Sequence, residues 1–382
     1  MISRSDFRVR IDPAWLLWLV VFCALTGNLI LHPGKHNNTA PSRLASIHWW
    51  AGQDMYSMPA NSGAAFFYLP QAAILYTPFA FGPYLLGEVL ERAFGFCLFG
   101  AAIYRLAQFF RPQNGPALSR QFPWISLLAI PASFASLHNG QPDLPLTALI
   151  LLTAAEVNEE RWNWATFWLC LGLALKPLML VPLLLFGALY RPLWLRLALG
   201  FCLVLLLPFL RWNWPYVLWQ YQRFAETLQW AYQLREHRFS DLGALLGTFG
   251  LCPPNIVLTG LRALCAPTFL YLGWQARRNL APAEAAWYIA ALSAVYLILF
   301  NPRTETCSFV LVGPYLASLS IYLARQHRLL AVALAAGCIG LASDAFPTVV
   351  YKATNPWLKP LLTLLFLQVL FYFLVRTHPQ SR

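Results

Sequence analysis

Apolar blocks separated by short polar breaks recur from residue 15 to residue 375. They occupy residues 15–31, 83–110, 122–137, 144–157, 162–175, 177–190, 197–210, 256–275, 285–300, 307–324, 329–345 and 357–375. None alternates with the period of a half-buried strand, and most approach the roughly 20 apolar residues that cross a bilayer as helix. The pattern predicts an all-α, polytopic helical membrane protein with about twelve transmembrane helices, spanning residues 1–382 as a single integral membrane domain. Residues 66–81 are aromatic-rich and broken by Pro70 and Pro78. They read as an interfacial helix lying on the membrane. Two stretches fall outside the blocks, a first polar loop over 32–65 and a longer one over 211–255.

Charge placement orients the chain. Arg4, Arg8 and Arg10 precede the first block, and Arg105, Arg111 and Arg120 mark the end of the second. Arg161, Arg191, Arg196, Arg277, Arg278, Arg325, Arg328 and Arg376 continue the series. Cytoplasmic loops carry an excess of Lys and Arg, so these ends are expected inside, with both termini cytoplasmic. The 162–175 and 177–190 blocks then form a short hairpin with Lys176 at its outer tip; merging them gives eleven spans and sets four of those Arg residues outside. The first block lacks a small-residue cleavage site and is expected to stay as an anchor.

Composition agrees. The chain is 59% hydrophobic and 11% charged, against about 25% charged in an ordinary soluble domain. A net charge of +12 raises nucleic acid as a partner, but the basic residues sit singly at block ends as topology signals, so none is expected. The eight Cys residues include no CxxC pair and read as small buried hydrophobes.

The polar outliers converge on the outer side. Asp54 is in the first outer loop. "LHNGQPDLP" places His138, Asn139, Gln141 and Asp143 at an outer turn. The loop over 211–255 holds four Arg residues against the positive-inside tendency, together with His237 in "REHRFSD". "FNPRTETCS" adds Arg303 and Glu305 at another turn. Ionisable groups near membrane depth are costly and often line a substrate path. Each also has a structural reading: Asp54 as a solvated acid, Asp143 as a helix N-cap, Lys176 snorkelling, Arg303 and Glu305 as an ion pair, the loop aromatics as an interfacial belt.

Taken in order, "GQDMYS", "FFYLPQAAILYTPFAF", "NGQPDLPLTALILL", "LGLALKPLMLVPLLLF", "HRFSDLGALLG" and "FNPRTETCSFVLVGPYLA" resemble glycosyltransferase family 87. That family comprises membrane-embedded enzymes of the C-type glycosyltransferase fold, including polyprenol-phosphate-mannose-dependent α-(1→2)-mannosyltransferases. The resemblance implies a catalytic acid in the first outer loop ahead of a Tyr-Pro-Pro-like segment. Asp54 matches that acid, and "FFYLP", with Tyr68, is similar to the segment with Leu69 in place of one Pro. Relatives often carry a His within the motif that reads "NPRTETCS" here, a role that passes to Arg303 or His237.

The implied reaction moves a sugar, first of all mannose, from a polyprenyl-phosphate donor to a lipid or glycan acceptor at the outer face of a bacterial-type inner (cell) membrane. Asp54 would be the base of an inverting displacement. Lys176, Arg238 and Arg303 would be the phosphate cations, with Gln141, Asp143, His237, Glu305 and Tyr68 lining the site. No cofactor is called for, and the chemistry does not require a metal. The rival is a transporter or lipid-linked sugar flippase, for which Glu91 and Arg92 inside the second block are the best feature.

Overall fold

A computed structural model describes residues 12–33, 38–57, 65–111, 118–233, 239–342 and 345–376, and all regular structure among them is helical. The N-terminal helix α1 (Pro13–Leu31) starts where the Asp12 carboxylate accepts the Ala14 N–H and Pro13 takes the first turn, both favoured at helix starts. Helix α2 (Ala40–Ala51) ends at Gly52 with φ +75°, a left-handed turn that glycine adopts without a Cβ clash. That turn delivers the chain to Asp54.

Two short helices, α3 (Pro70–Leu75) and α4 (Thr77–Ala80), precede the long α5 (Tyr84–Phe109). Next come α6 (Leu118–Asn139), α7 (Asp143–Asn158), α8 (Trp162–Leu175) and α9 (Leu180–Leu189). After α10 (Trp194–Leu206) lie α11 (Trp214–Gln233), α12 (Leu242–Thr248), α13 (Asn255–Asn279) and α14 (Pro282–Phe300). The chain closes with α15 (Gly313–Leu323), α16 (Arg328–Gly340), α17 (Thr348–Thr354) and α18 (Leu358–Arg376).

Each of the twelve predicted blocks contains a helix, in some cases preceded or followed by a short 3-10 turn. Six segments are long and apolar enough to cross a membrane: Pro13–Leu31, Arg191–Arg211, Asn255–Asn279, Pro282–Phe300, Thr306–Leu323 and Leu358–Arg376. Trp162–Leu175, Pro177–Leu189 and Arg328–Gly340 are shorter apolar helices. The chain is a multi-pass, all-helical membrane protein. Helices α7 and α14 are buried almost throughout and form its centre, as expected of helices apolar on all sides. By contrast α10 and α13 leave most of their apolar surface uncovered, a surface suited to lipid.

One expectation is corrected. Residues 66–81 do not form one helix lying on the membrane. Residues 65–69 form no helix, with Leu69 extended, and the chain then breaks into α3 and α4, each with a Pro in its first turn. The start of α3 is buried, with the Gln71 amide donating to the Val204 carbonyl (2.7 Å) and the Tyr221 hydroxyl (2.8 Å). The stretch 211–255 holds α11 and α12, and aromatic residues of α11 pack on residues 45–56 and 66–73. Within α5, Arg92 takes a partner one turn away. It pairs with Glu88 at 2.8 Å, both buried, since neighbours on a helix point apart while residues four apart share a face.

A second, smaller core lies apart from the main one. Ala45, Trp49, Met55, Tyr56, Phe66, Ala72, Ala73, Tyr216 and Val217 pack together, joining α2, the 65–69 segment and α11. The segment bearing Asp54 is built on this satellite core.

Candidate functional site

Asp54 follows α2 in a stretch with no regular secondary structure. Its side chain is held from two directions. Oδ1 accepts the Tyr56 N–H at 3.0 Å, and Oδ2 accepts Arg223 Nε at 2.9 Å. A carboxylate offers about four acceptor positions, so two remain for a substrate hydroxyl. The Asp54 carbonyl takes the Ser57 hydroxyl (2.7 Å) and lies 3.0 Å from His48 Nδ1. Arg223 reaches Glu226 with Nη1. Those bonds, Glu226 first and Asp54 second, hold the guanidinium above its ordinary value, and the same contact holds the Glu226 carboxyl below the usual carboxylate range.

A second polar centre is built from helix ends. Asp143 opens α7 and Lys176 closes α8, and Lys176 Nζ donates to Asp143 Oδ1 at 2.6 Å. An acid at a helix N-terminus and a cation at a C-terminus both suit the macrodipole. Asp143 is therefore a paired first-turn residue, not the N-cap, which is Pro142; the mostly covered Lys176 ammonium is turned to Asp143. Asp143 Oδ2 also accepts the Ser308 hydroxyl at 3.3 Å, with Cys307 Sγ at 3.6 Å, and Cys307 lies equally far from Glu305 Oε2.

The two centres are joined by aromatic residues. The Tyr56 hydroxyl donates to the Tyr68 carbonyl at 2.8 Å, and Lys176 Nζ sits 5.9 Å from the centre of the Tyr68 ring. Burial pushes the Tyr68 phenol up to about 12, so it stays a neutral hydroxyl well above neutral pH. The Arg303 guanidinium lies 4.5 Å from the Phe67 ring centre and 5.1 Å from that of Phe239, a cation–π contact on two rings. Phe67 in turn stacks on Trp230 of α11 at 6.1 Å.

Asp54, Tyr68, Asp143, Lys176, Arg303 and Glu305 are thus linked through short chains of contacts. Gln141 is not. Its buried side chain lines a small cavity with Glu91, Arg92 and Gly140. His237 and Arg238 lie outside the described residues, as do Arg4, Arg8, Arg10 and Lys35. Sequence reasoning missed Tyr216, Gln220, Arg223 and Glu226. Their signal was the spacing of 216, 220 and 223, which aligns polar side chains on one face of an otherwise aromatic helix. No group of three or more His, Cys, Asp or Glu able to hold a metal occurs among the described residues.

A multi-pass helical protein that gathers a partly accessible carboxylate and several cations at helix ends has the parts of a membrane-embedded transferase. The chain belongs to glycosyltransferase family 87, whose sequence model matches residues 66–302, and it is a membrane glycosyltransferase. That membership decides against the transporter alternative. The structure is also similar to the crystal structure of ArnT from Cupriavidus metallidurans in the apo state, at 17% identity and a TM-score of 0.45, over 95% of this chain and 74% of that one. No curated protein matches the chain. Asp54, Arg303 and Glu305 lie outside the matched residues.

Proposed function

We propose that this glycosyltransferase uses a polyprenyl-phosphate sugar and transfers the sugar to a hydroxyl of a lipid or glycan at the outer face of the membrane. Asp54 is the general base. The observation that carries this reading is the state of its carboxylate: ordered by two hydrogen bonds, partly exposed, and left with acceptor capacity.

As the acceptor oxygen attacks the anomeric carbon, Asp54 takes its proton, and the bond to the phosphate oxygen breaks. The lipid phosphate leaves with the electron pair, which a cation stabilises. Arg303, steadied between Phe67 and Phe239, suits this task because a guanidinium binds phosphate through a fork. Arg238 is a second cation for it. Lys176 is less suited, since its charge is compensated by Asp143. One base and one displacement give inversion at the anomeric carbon.

The charges at the two ends of α7 support the face assignment. Asp143 starts α7, whereas Glu156 and Glu159, paired with Arg105 and Arg161, lie at its other end. A helix of 16 residues is roughly 24 Å long, a separation that suits placing the candidate site and the Arg-rich ends on opposite sides. Placing Arg inside puts the site outside. The reading retains twelve crossings, the C-type glycosyltransferase fold, cytoplasmic termini, and one membrane domain with Asp54 in its first outer segment.

The test is transfer from polyprenyl-phosphate mannose, labelled in the sugar, to a membrane-lipid extract, using purified protein in lipid discs. Asp54→Asn removes the proton acceptor and keeps the shape, and it should lower turnover by about 10²–10⁴-fold. Wild-type turnover by a folded Asp54→Asn protein would overturn the assignment. Failure of the polyprenyl carrier to donate, where a nucleotide sugar succeeds, would overturn the donor class.

A further inference from the structure

Residues 53–55 have no helix or strand of their own to set their geometry. Helix α11 supplies it. The Tyr216 hydroxyl donates to the Gln53 carbonyl at 2.8 Å, and the Gln220 amide donates to the same oxygen at 3.2 Å. Gln220 Oε1 accepts the Met55 N–H at 3.3 Å. Arg223 Nε then donates to Asp54 Oδ2 at 2.9 Å. Residues 216, 220 and 223 are spaced to share one helix face, and that face addresses three successive residues around the candidate base.

The burial along this face is graded. Gln220 is fully buried, Tyr216 nearly so, and Arg223 and Glu226 are partly exposed. The face therefore runs from a fixed anchor, below the backbone of residues 53 and 55, to a polar pair beside the Asp54 carboxylate. Arg223 bridges two acids through different nitrogens, Nε to Asp54 and Nη1 to Glu226. Only a planar fork can do so in a fixed geometry; an ammonium presents a single point of charge.

We infer that α11 sets the reacting pose of Asp54 and that Arg223, itself held by Glu226, is a positioning residue for that carboxylate. The inference rests on the reading of Asp54 as the base. A role for Arg223 as a donor-phosphate ligand fits less well. One guanidinium between two carboxylates leaves the trio with a net negative charge, which an arriving phosphate would meet as repulsion.

The experiment measures kcat and donor KM, with polyprenyl-phosphate mannose as donor, for Arg223→Gln, Arg223→Lys and Glu226→Gln. Each is made in the wild type and on an Asp54→Asn background, with thermal unfolding followed in parallel. Displacing a reacting group by about an ångström costs on the order of 10²-fold, so Arg223→Gln should lose about that factor in kcat. Donor KM should stay within about threefold, because uniform binding is untouched. Arg223→Lys should regain about tenfold, having the charge without the fork. Glu226→Gln should show a smaller kcat loss of the same kind. On the Asp54→Asn background Arg223→Gln should add almost nothing, since residues acting as a unit are not additive.

A raised donor KM with unchanged kcat in Arg223→Gln would make Arg223 a donor ligand and overturn the inference. An undiminished kcat loss on the Asp54→Asn background, or a loss that follows the unfolding temperature and ignores Lys, would reduce it to scaffold and overturn it too. The two readings fail separately. A dead Asp54→Asn with a normal Arg223→Gln sinks only the positioning role, whereas a fully active Asp54→Asn sinks the base and this inference with it.

Discussion

Two acid–cation pairs lie close together on this protein, and they differ in what is left over. Asp143 and Lys176 are exposed by 1% and 14%, and Asp143 is committed to Lys176 and Ser308, with Cys307 alongside. Asp54 and Arg223 are exposed by 17% and 34%, and Asp54 keeps acceptor positions open. The first pair joins two helix ends whose dipoles favour it. The second joins an irregular segment to an amphipathic helix. A carboxylate that is fully partnered locks packed helices together; one that is steadied but not used up is equipped to move a proton.

The largest effect expected from breaking this contrast is on stability. Lys176→Met strands the buried Asp143 charge, and removing one partner of a buried pair costs about 3–5 kcal/mol. A steep fall in unfolding temperature in lipid discs would show it. Asp143→Asn together with Lys176→Met should recover most of that loss, because no uncompensated charge remains. A double variant no better than the single would mean that the pair is not the source of the cost.

A middle-sized effect comes from the hydroxyl that completes the buried centre. Ser308→Ala removes one hydrogen bond to a charged acceptor, worth about 1.5–3 kcal/mol, and should reduce stability with donor KM unchanged. A rise in donor KM would instead make the buried centre part of the substrate site.

The smallest effect concerns acid. The Glu226 carboxyl is held below its ordinary value of 4.5 by hydrogen bonds from Arg223 and Gln222. A depressed carboxylate contributes its stabilisation in full above the unfolded value and loses it as pH falls through the folded one. Hydrogen exchange of α11, corrected for the intrinsic rate, should therefore be flat from neutral pH down to 4.5 and rise only below it. Glu226→Gln should abolish that acid-side rise. Loosening of α11 already above that value would contradict the contact.

The helices were legible because their signal is local. Residues 144–157 are apolar without a break, and they became α7 with one residue added at each end. The 162–175 block became α8 unchanged. What hydropathy does not carry is pairing over distance. Asp143 meets Lys176 across 33 residues and Asp54 meets Arg223 across 169, so nothing nearby marks which acid is locked. Residues 66–81 misled for a related reason. Their aromatic character suits a membrane surface as well as a satellite core, and only α11 folding over Pro70 to Ala73 decides between them. The Arg residues of 211–255 were conspicuous for lying on the side where few are expected. That one of them pairs with Asp54 emerges only once the helix carrying it is in place.

Orientation can be tested directly on a Cys-free background. Ser57→Cys, beside Asp54, should react with an impermeant thiol reagent from outside, and Gln326→Cys, between α15 and α16, should not; both positions are exposed. The reverse labelling would move the candidate site to the cytoplasmic face.

The most direct test of the central claim sets Asp54→Asn beside Asp143→Asn in one preparation, with three readings for each: unfolding temperature, donor affinity and turnover at saturating donor. The account predicts that Asp54→Asn unfolds and binds donor like the wild type while its turnover falls by about 10²–10⁴-fold. Asp143→Asn should lose its stability first, with turnover of the folded fraction largely kept. Near wild-type turnover in Asp54→Asn, with a stable but inactive Asp143→Asn, would place the base at the buried pair and contradict the account.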